Sequence, residues 1–369
     1  MKLLISFSLT ALRSLYFFFK LFLKPRKKIT MLSRQGDVPS EDFSLLKKAL
    51  EESGFDGEII VLCKKISAGV KSKISYAFHI LIQMYHIATS KVVVIDGYCI
   101  AVSTLKHKEG QGFVQIWHAL NIVKKFGYQA LDKPWGHNSS TAKALCMHKN
   151  YSHIIACSPH SAEVLAGCFG VDIQKSVLLP LPRIDYILKT PKKVEEIKKY
   201  YPDVFSKPIL LYAPTFRGER VNLGWITDVV DFEKYNVVVK LHPADKQGVD
   251  SSVDNRVICD EKFSSFDWMK VCDSLVTDYS GMGFEAMLLD KKVYFYLYDY
   301  EEYSKKNGLS IDLFSEDICA YVTQTAQGLK ALLEKEYNFE CEKKYLNKYL
   351  SVGTENCAER LAEFIKGLV

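Results

Sequence analysis

The sequence predicts an α/β fold made of two parallel-sheet domains, and three observations carry that reading. Short β-branched and apolar runs alternate with amphipathic stretches along nearly the whole chain. That alternation gives a parallel sheet with helices on both faces. The 369 residues exceed what one ordinary core fills and suit two domains of roughly 150–180 residues each. A polar, Lys-rich stretch from Lys189 to Lys207, holding Pro191 and Pro202 and bordered by Pro208, interrupts the alternation and marks the boundary.

The elements follow in order. Leu3 to Leu23 is apolar, interrupted by Arg13 and Lys20, and the basic run Lys24, Pro25, Arg26, Lys27, Lys28 comes after it. A secretory signal carries its charge first and ends at a small-residue cleavage site. Here the charge comes last. A spanning helix needs about 20 apolar residues with few charges, and Arg13 sits mid-segment. The favoured reading of residues 1–27 is therefore a membrane-associated helix in the interface, held at the cytoplasmic face by the basic run. A spanning helix is the alternative for the segment, and a solvated linker for the run.

Residues 28–190 form the first domain. Its expected strands are Lys28–Ser33, Glu58–Cys63, Lys91–Asp96, Gly112–Trp117, His153–Cys157 and Ser176–Leu179, with helices Glu41–Ser53, capped by Ser40, and Ser72–Ser90. Residues 208–335 form the second, with strands Ile209–Ala213, Val237–Leu241, Ser274–Thr277 and Val293–Tyr296. From about Thr323 the pattern is helical, and residues 336–369 are expected to cross back to the first domain.

Composition narrows the function. The chain is 48% hydrophobic and 12% aromatic, without low-complexity tracts. The net charge of +6 is mild and scattered, and no nucleic-acid module appears, which argues against a nucleic-acid partner. Ten cysteines lie apart with no C-x-x-C pair, as expected of reduced, buried thiols in a cytosolic protein.

Two Rossmann-like domains facing each other would leave a cleft, and in open parallel sheets ligands bind beyond the carboxyl ends of the strands. Five segments place unusual residues there. In Gln115-Ile116-Trp117-His118 the imidazole is either a structural group or a base for an attacking hydroxyl, since its ordinary pKa near 6.5 suits proton transfer at neutral pH. Lys124 and Lys125 follow, facing anionic substrate or solvent. In Leu181-Pro182-Arg183-Ile184-Asp185, Arg183 offers a planar fork for phosphate or pairs with Asp185. Tyr212-Ala213-Pro214-Thr215-Phe216-Arg217 and Val239-Lys240-Leu241-His242-Pro243 put Arg217 and His242 at strand ends of one domain, suggesting a shared anionic ligand. Val276-Thr277-Asp278-Tyr279-Ser280-Gly281 opens an expected helix Met282–Leu289. Thr277, Ser280 and free amides near Gly281 would bind an anion, or Ser280 simply caps the helix. Glu285 either reaches a ribose hydroxyl or lies at the surface. No D-x-D cluster is present, so no metal is expected, and no cofactor is expected beyond the substrate.

In order and spacing these five segments resemble the CDP-glycerol glycerophosphotransferase family of teichoic acid synthesis, over roughly residues 28 to 330. The resemblance implies a glycosyltransferase-B-like fold and a CDP-glycerol or CDP-ribitol donor held mainly by the second domain. It implies His118 as base and Arg217, His242, Thr277 and Ser280 near the donor's phosphates. Arg183 lies in a family motif without a settled role. Three positions depart from the pattern: Ala119 for glycine, Gly281 for a second serine, and Glu285 for aspartate. The implied reaction moves glycerol or ribitol phosphate to a hydroxyl of a lipid-linked sugar or growing polymer at the cytoplasmic membrane face, releasing CMP. Little chain lies beyond the two domains and the first segment, which favours a compact primase. One alternative is a glycosyltransferase of the same fold using a UDP- or CMP-sugar. Another, of a different class, is a non-catalytic scaffold that binds carrier lipid.

Overall fold

The computed structural model describes all residues except Met1, Ala68, Glu219, Pro243, Ala244, Lys246, Gln247, 250–253, Asn307 and 316–320, and no side chain of residues 2–6. Pro243, named above, and Cys319, one of the ten cysteines, thus lie outside the described residues. The chain divides into two compact units, Met1–Tyr186 with Tyr349–Val369, and Ile187–Lys348.

The first unit holds β1 (Arg26–Ser33), β2 (Glu58–Cys63), β3 (Ser90–Ile95), β4 (Gly112–Gln115), β5 (His153–Ala156) and β6 (Ser176–Leu178). They form one parallel sheet in the order β2-β1-β3-β4-β5-β6. Val92 to Ile95 of β3 are buried one after another, as befits a central strand covered on both faces. The helix Glu41–Glu52 is capped by the Ser40 side chain, which accepts from the Phe43 amide, and buries Phe43, Leu46 and Leu50 at helical spacing.

The second unit holds β7 (Ile209–Tyr212), β8 (Asn236–Val239), β9 (Val257–Cys259), β10 (Ser274–Thr277), β11 (Lys292–Tyr296) and β12 (Val322–Thr323). Its sheet is also parallel, in the order β12-β11-β10-β7-β8-β9. Strand order reverses between β1 and β3 in the first sheet and between β7 and β10 in the second. Those two reversals are the switch points at which open α/β sheets hold ligands.

Several expectations change. The apolar segment is one helix, Lys2–Phe22, but no helix among the described residues is long and apolar enough to cross a membrane. The spanning alternative is therefore set aside. Arg13 explains it locally: its Nε donates to the Thr104 carbonyl at 3.1 Å, tying this helix to the domain. Leu9, Leu12, Tyr16 and Phe19, at spacings of three and four, form its inner stripe, and Leu12, Tyr16 and Phe19 join the core that holds Met84 and Ile87.

The stretch Lys189–Lys207 contains a helix, Val194–Tyr200, because Ile197 finds a core and the Glu195, Glu196 and Lys198, Lys199 pairs suit its dipole. The edge strands β9 and β12, three and two residues long, were too short to show as apolar runs. The helix Cys357–Lys366 belongs to the first unit, where the Ala358 amide donates to Asp185 at 2.8 Å. Among the described cysteines, five are buried and Cys259, on edge strand β9, is exposed, so burial does not hold for every thiol.

Candidate functional site

In the first unit the sequence turns sharply at the end of β4. Trp117 has φ 56°, a left-handed conformation unusual for a bulky residue. Such strain persists where surrounding packing enforces it. Here the Trp117 ring stacks on Phe126 at 4.2 Å and 6°, and against His118 at 4.0 Å. Gly127 supports the nest. It has φ +56°, and a Cβ there would lie 2.1 Å from the Cys168 carbonyl oxygen.

His118 is thereby held half-buried, its Nδ1 2.7 Å from the Asp96 carbonyl oxygen. A carbonyl only accepts, so Nδ1 carries the proton and Nε2 is the basic nitrogen. The Gln35 amide lies 3.2 Å from the same Nδ1. Burial pushes the imidazole pKa down to about 4, against the opposing pull of the Asp96 carbonyl and with help from the nearby Arg183 charge. The side chain is neutral at pH 7 with the Nε2 lone pair free, and the lowered pKa makes that nitrogen a weaker base than the ordinary imidazole expected from the sequence.

The Arg183 fork is held by Asp42. Its Nε and Nη2 donate to Asp42 Oδ2 at 2.8 and 2.6 Å, and its amide donates to Oδ1 at 2.8 Å. Asp42, in the first turn of the helix Glu41–Glu52, is the carboxylate that fits this fork. Asp185 accepts from the Ala358 amide. Lys124 and Lys125 are half-buried beside the aromatic nest.

In the second unit the loops after β7 and β10 meet at the switch point. Asp278 Oδ1 accepts from the Thr215 amide at 2.8 Å and its hydroxyl at 2.5 Å, while Oδ2 accepts from Arg217 Nη2 at 2.8 Å. Arg217 Nε donates to Asp299 at 3.1 Å, and the Tyr279 hydroxyl donates to the same carboxylate at 3.0 Å. The Arg217 side chain is 5% exposed. Its guanidinium lies over Tyr303 at 4.7 Å, whose ring stacks on Tyr279 at 3.8 Å. Burial works against its charge, and Asp278 and Asp299 more than offset that, holding the pKa above its usual value. Arg217 thus anchors the two loops rather than facing outward as the expected phosphate fork.

Thr277 also turns inward. It is 0% exposed and donates to the Ala213 carbonyl at 2.7 Å, which joins β10 to the end of β7. Ser280 Oγ accepts from the Met282 amide at 3.2 Å, and Gly281 is in ordinary helical conformation. The helix is Met282–Met287, six residues, shorter than the Met282–Leu289 expected. Glu285 is buried rather than a surface carboxylate. His242 is exposed, its ring 5.7 Å from that of Phe216. Lys240 is held by Asp260 at 3.2 Å.

Four residues escaped the sequence reading: Asp42 and Asp96 in the first unit, Asp278 and Asp299 in the second. Asp96 and Asp278 carried a signal, a carboxylate at or directly after the end of an apolar strand. Asp42 and Asp299 gain meaning only from distant partners.

Comparison with known proteins adds to this geometry. A family model described as CDP-glycerol:poly(glycerophosphate) glycerophosphotransferase matches residues 15–367. The teichoic acid ribitol-phosphate primase of Bacillus spizizenii is 27% identical over 359 residues, spanning 93% of this chain and 91% of the relative. The teichoic acid glycerol-phosphate primase of Bacillus subtilis is 25% identical, with 95% of each chain covered. Among solved structures, the wall teichoic acid polymerase TagF superposes with a TM-score of 0.73 at 17% identity, over 100% of this chain and 97% of that one. The likeness extends to the α/β architecture with two parallel sheets.

Proposed function

This chain belongs to the CDP-glycerol:poly(glycerophosphate) glycerophosphotransferase family, and on that premise we propose that it transfers glycerol or ribitol phosphate from a CDP-polyol to an acceptor hydroxyl, releasing CMP. The observation that carries the reading is His118, neutral, fixed through Nδ1 and basic at Nε2. The acceptor oxygen forms a bond to the β-phosphorus of the donor as the bond to the CMP oxygen breaks. The acceptor's proton passes to Nε2. Such base catalysis contributes roughly 10²–10⁴ in rate, and positioning of the diphosphate supplies much of the rest.

In the second unit, exposed His242 and the turn at Ser280 and Gly281 are the contacts we assign to the donor's phosphates. Arg217 and Thr277 act as positioning residues that hold the loops bearing them. Glu285 lies on that helix and is assigned to the nucleotide side.

The acceptor we assign is a lipid-linked sugar or growing polymer, met at a membrane surface. Support comes from two helices of the first unit. On Lys2–Phe22, Phe7, Leu15, Phe18 and Phe22 form an outward stripe, with Phe22 77% exposed. On the helix Val70–Thr89, Val70, Ile74, Phe78, Ile82 and Tyr85 form another. Apolar stripes on these helices, with Lys24 directly after the first, fit an anionic lipid surface.

The test is a donor screen. The protein is incubated with CDP-glycerol, CDP-ribitol, CMP-sugars and UDP-sugars and a lipid-linked disaccharide, with and without one added glycerol phosphate, and nucleotide release is measured. CMP release with a CDP-polyol alone is expected. Release only from a sugar nucleotide would make it a glycosyltransferase, and release from none would make it a scaffold.

A further inference from the structure

The switch point of the first unit carries charges that the reaction described so far leaves unused. Arg34 follows β1 and Asp96 follows β3, the two strands between which the order reverses. Together with Ser33, Gln83 and Tyr98 they line a cavity of about 10 Å³, room for one water or one hydroxyl oxygen.

Asp96 is 1% exposed, and neither carboxylate oxygen has a hydrogen-bond partner. Arg34 is half-buried, with its guanidinium 5.4 Å from the centre of the Tyr98 ring. Among the described residues it has no carboxylate and no hydrogen-bond acceptor. The two side chains share one cavity and do not pair with each other.

This is unlike the other strand-end cations. Arg183 is spent on Asp42, Arg217 on Asp278 and Asp299, and Lys240 on Asp260. A carboxylate buried without a partner is costly, and such a group calls for an explanation. One water could serve Asp96 but leaves Arg34 without an anion.

A ligand with hydroxyl donors and a phosphate satisfies both. We infer that this cavity takes one hydroxyl of the polyol-phosphate end of the acceptor, which donates to Asp96, while the phosphodiester rests outside it on Arg34. The placement beside the base fits. The Asp96 carbonyl holds His118, and Gln35, the neighbour of Arg34, touches the same ring nitrogen. The reacting hydroxyl is a neighbouring one on the same polyol. The inference deepens the transferase reading and rests on it for the identity of the ligand.

Calorimetry on the full chain reads the cavity without turnover, with sn-glycerol 3-phosphate and glycerol as probes. Saturable binding of glycerol phosphate, weak or absent binding of glycerol, and no displacement by saturating CDP are expected. Arg34→Gln should weaken glycerol phosphate at least tenfold, Asp96→Asn at least threefold, and Arg34→Lys should retain most of the affinity. No saturable binding to the unsubstituted protein, displacement by CDP, or unchanged binding by Arg34→Gln would each overturn the inference.

In turnover, Arg34→Gln should raise KM at least tenfold for an acceptor ending in glycerol phosphate, leaving kcat and the donor KM unchanged. It should leave KM unaltered for one ending in a bare sugar. Equal losses on both acceptors would contradict the assignment. Failure of the donor screen would sink the transferase reading, whereas the calorimetry decides the cavity by itself.

Discussion

At the scale of single residues, chemistry follows from which groups are already spent. His118 spends Nδ1 on a backbone carbonyl and keeps Nε2. Its pKa is lowered, so the sign of its linkage is set. Between about 6.5 and about 4 the unfolded chain binds a proton that the folded chain does not, so its contribution is lost as pH falls through that window. Buried Asp96, raised to about 7, acts in the opposite sense. NMR titration of the His118 ring should therefore show a midpoint near 4, and a midpoint near 6.5 would contradict the burial argument. Arg183 illustrates the reverse case. Asp42 is 1% exposed and Arg183 14%, so Arg183→Ala strands a buried carboxylate. Loss of about 3–5 kcal/mol is expected in a denaturant melt, with most of it recovered when Asp42→Asn is added. An unchanged midpoint in Arg183→Ala would refute that role.

At the scale of elements, most strands were legible because β-branched runs of four or more residues announce themselves, as in Val92 to Ile95. The pairing of Arg183 with Asp42, 141 residues away in sequence, was not legible, because local pattern says nothing of such partners. Nor could pattern show that Thr277 donates to Ala213, since that depends on β10 lying beside β7, or that Arg217 lies between two carboxylates, since that also needs β11 beside β10. The N-terminal helix was half legible. Its inner stripe is spent on the core, which a reading of hydropathy alone assigned to lipid. Its outer stripe gives a prediction that belongs to this element. The combined variant Phe18→Asp with Phe78→Asp should cut sedimentation with phosphatidylglycerol vesicles at least fivefold without changing the thermal midpoint. Undiminished sedimentation would remove these stripes from the membrane-facing role.

At the scale of the whole molecule, each unit repeats one design: a parallel sheet whose order reverses once, with charged or titratable residues gathered at the reversal. The first unit gathers Arg34, Asp96 and His118 there, and the second Arg217 and Asp278. Strand order had to be seen before Arg34 and Asp96 stood out, because sequence order alone does not tell which strand ends are neighbours. The division of labour that follows, a proton acceptor in one unit and donor contacts in the other, is the central claim. It is tested most directly by His118→Ala, with CMP release and CDP-polyol binding measured on the same preparation. The account predicts turnover reduced at least a hundredfold with donor affinity within threefold of the unsubstituted protein. Turnover retained, or donor affinity lost in step with turnover, would contradict it.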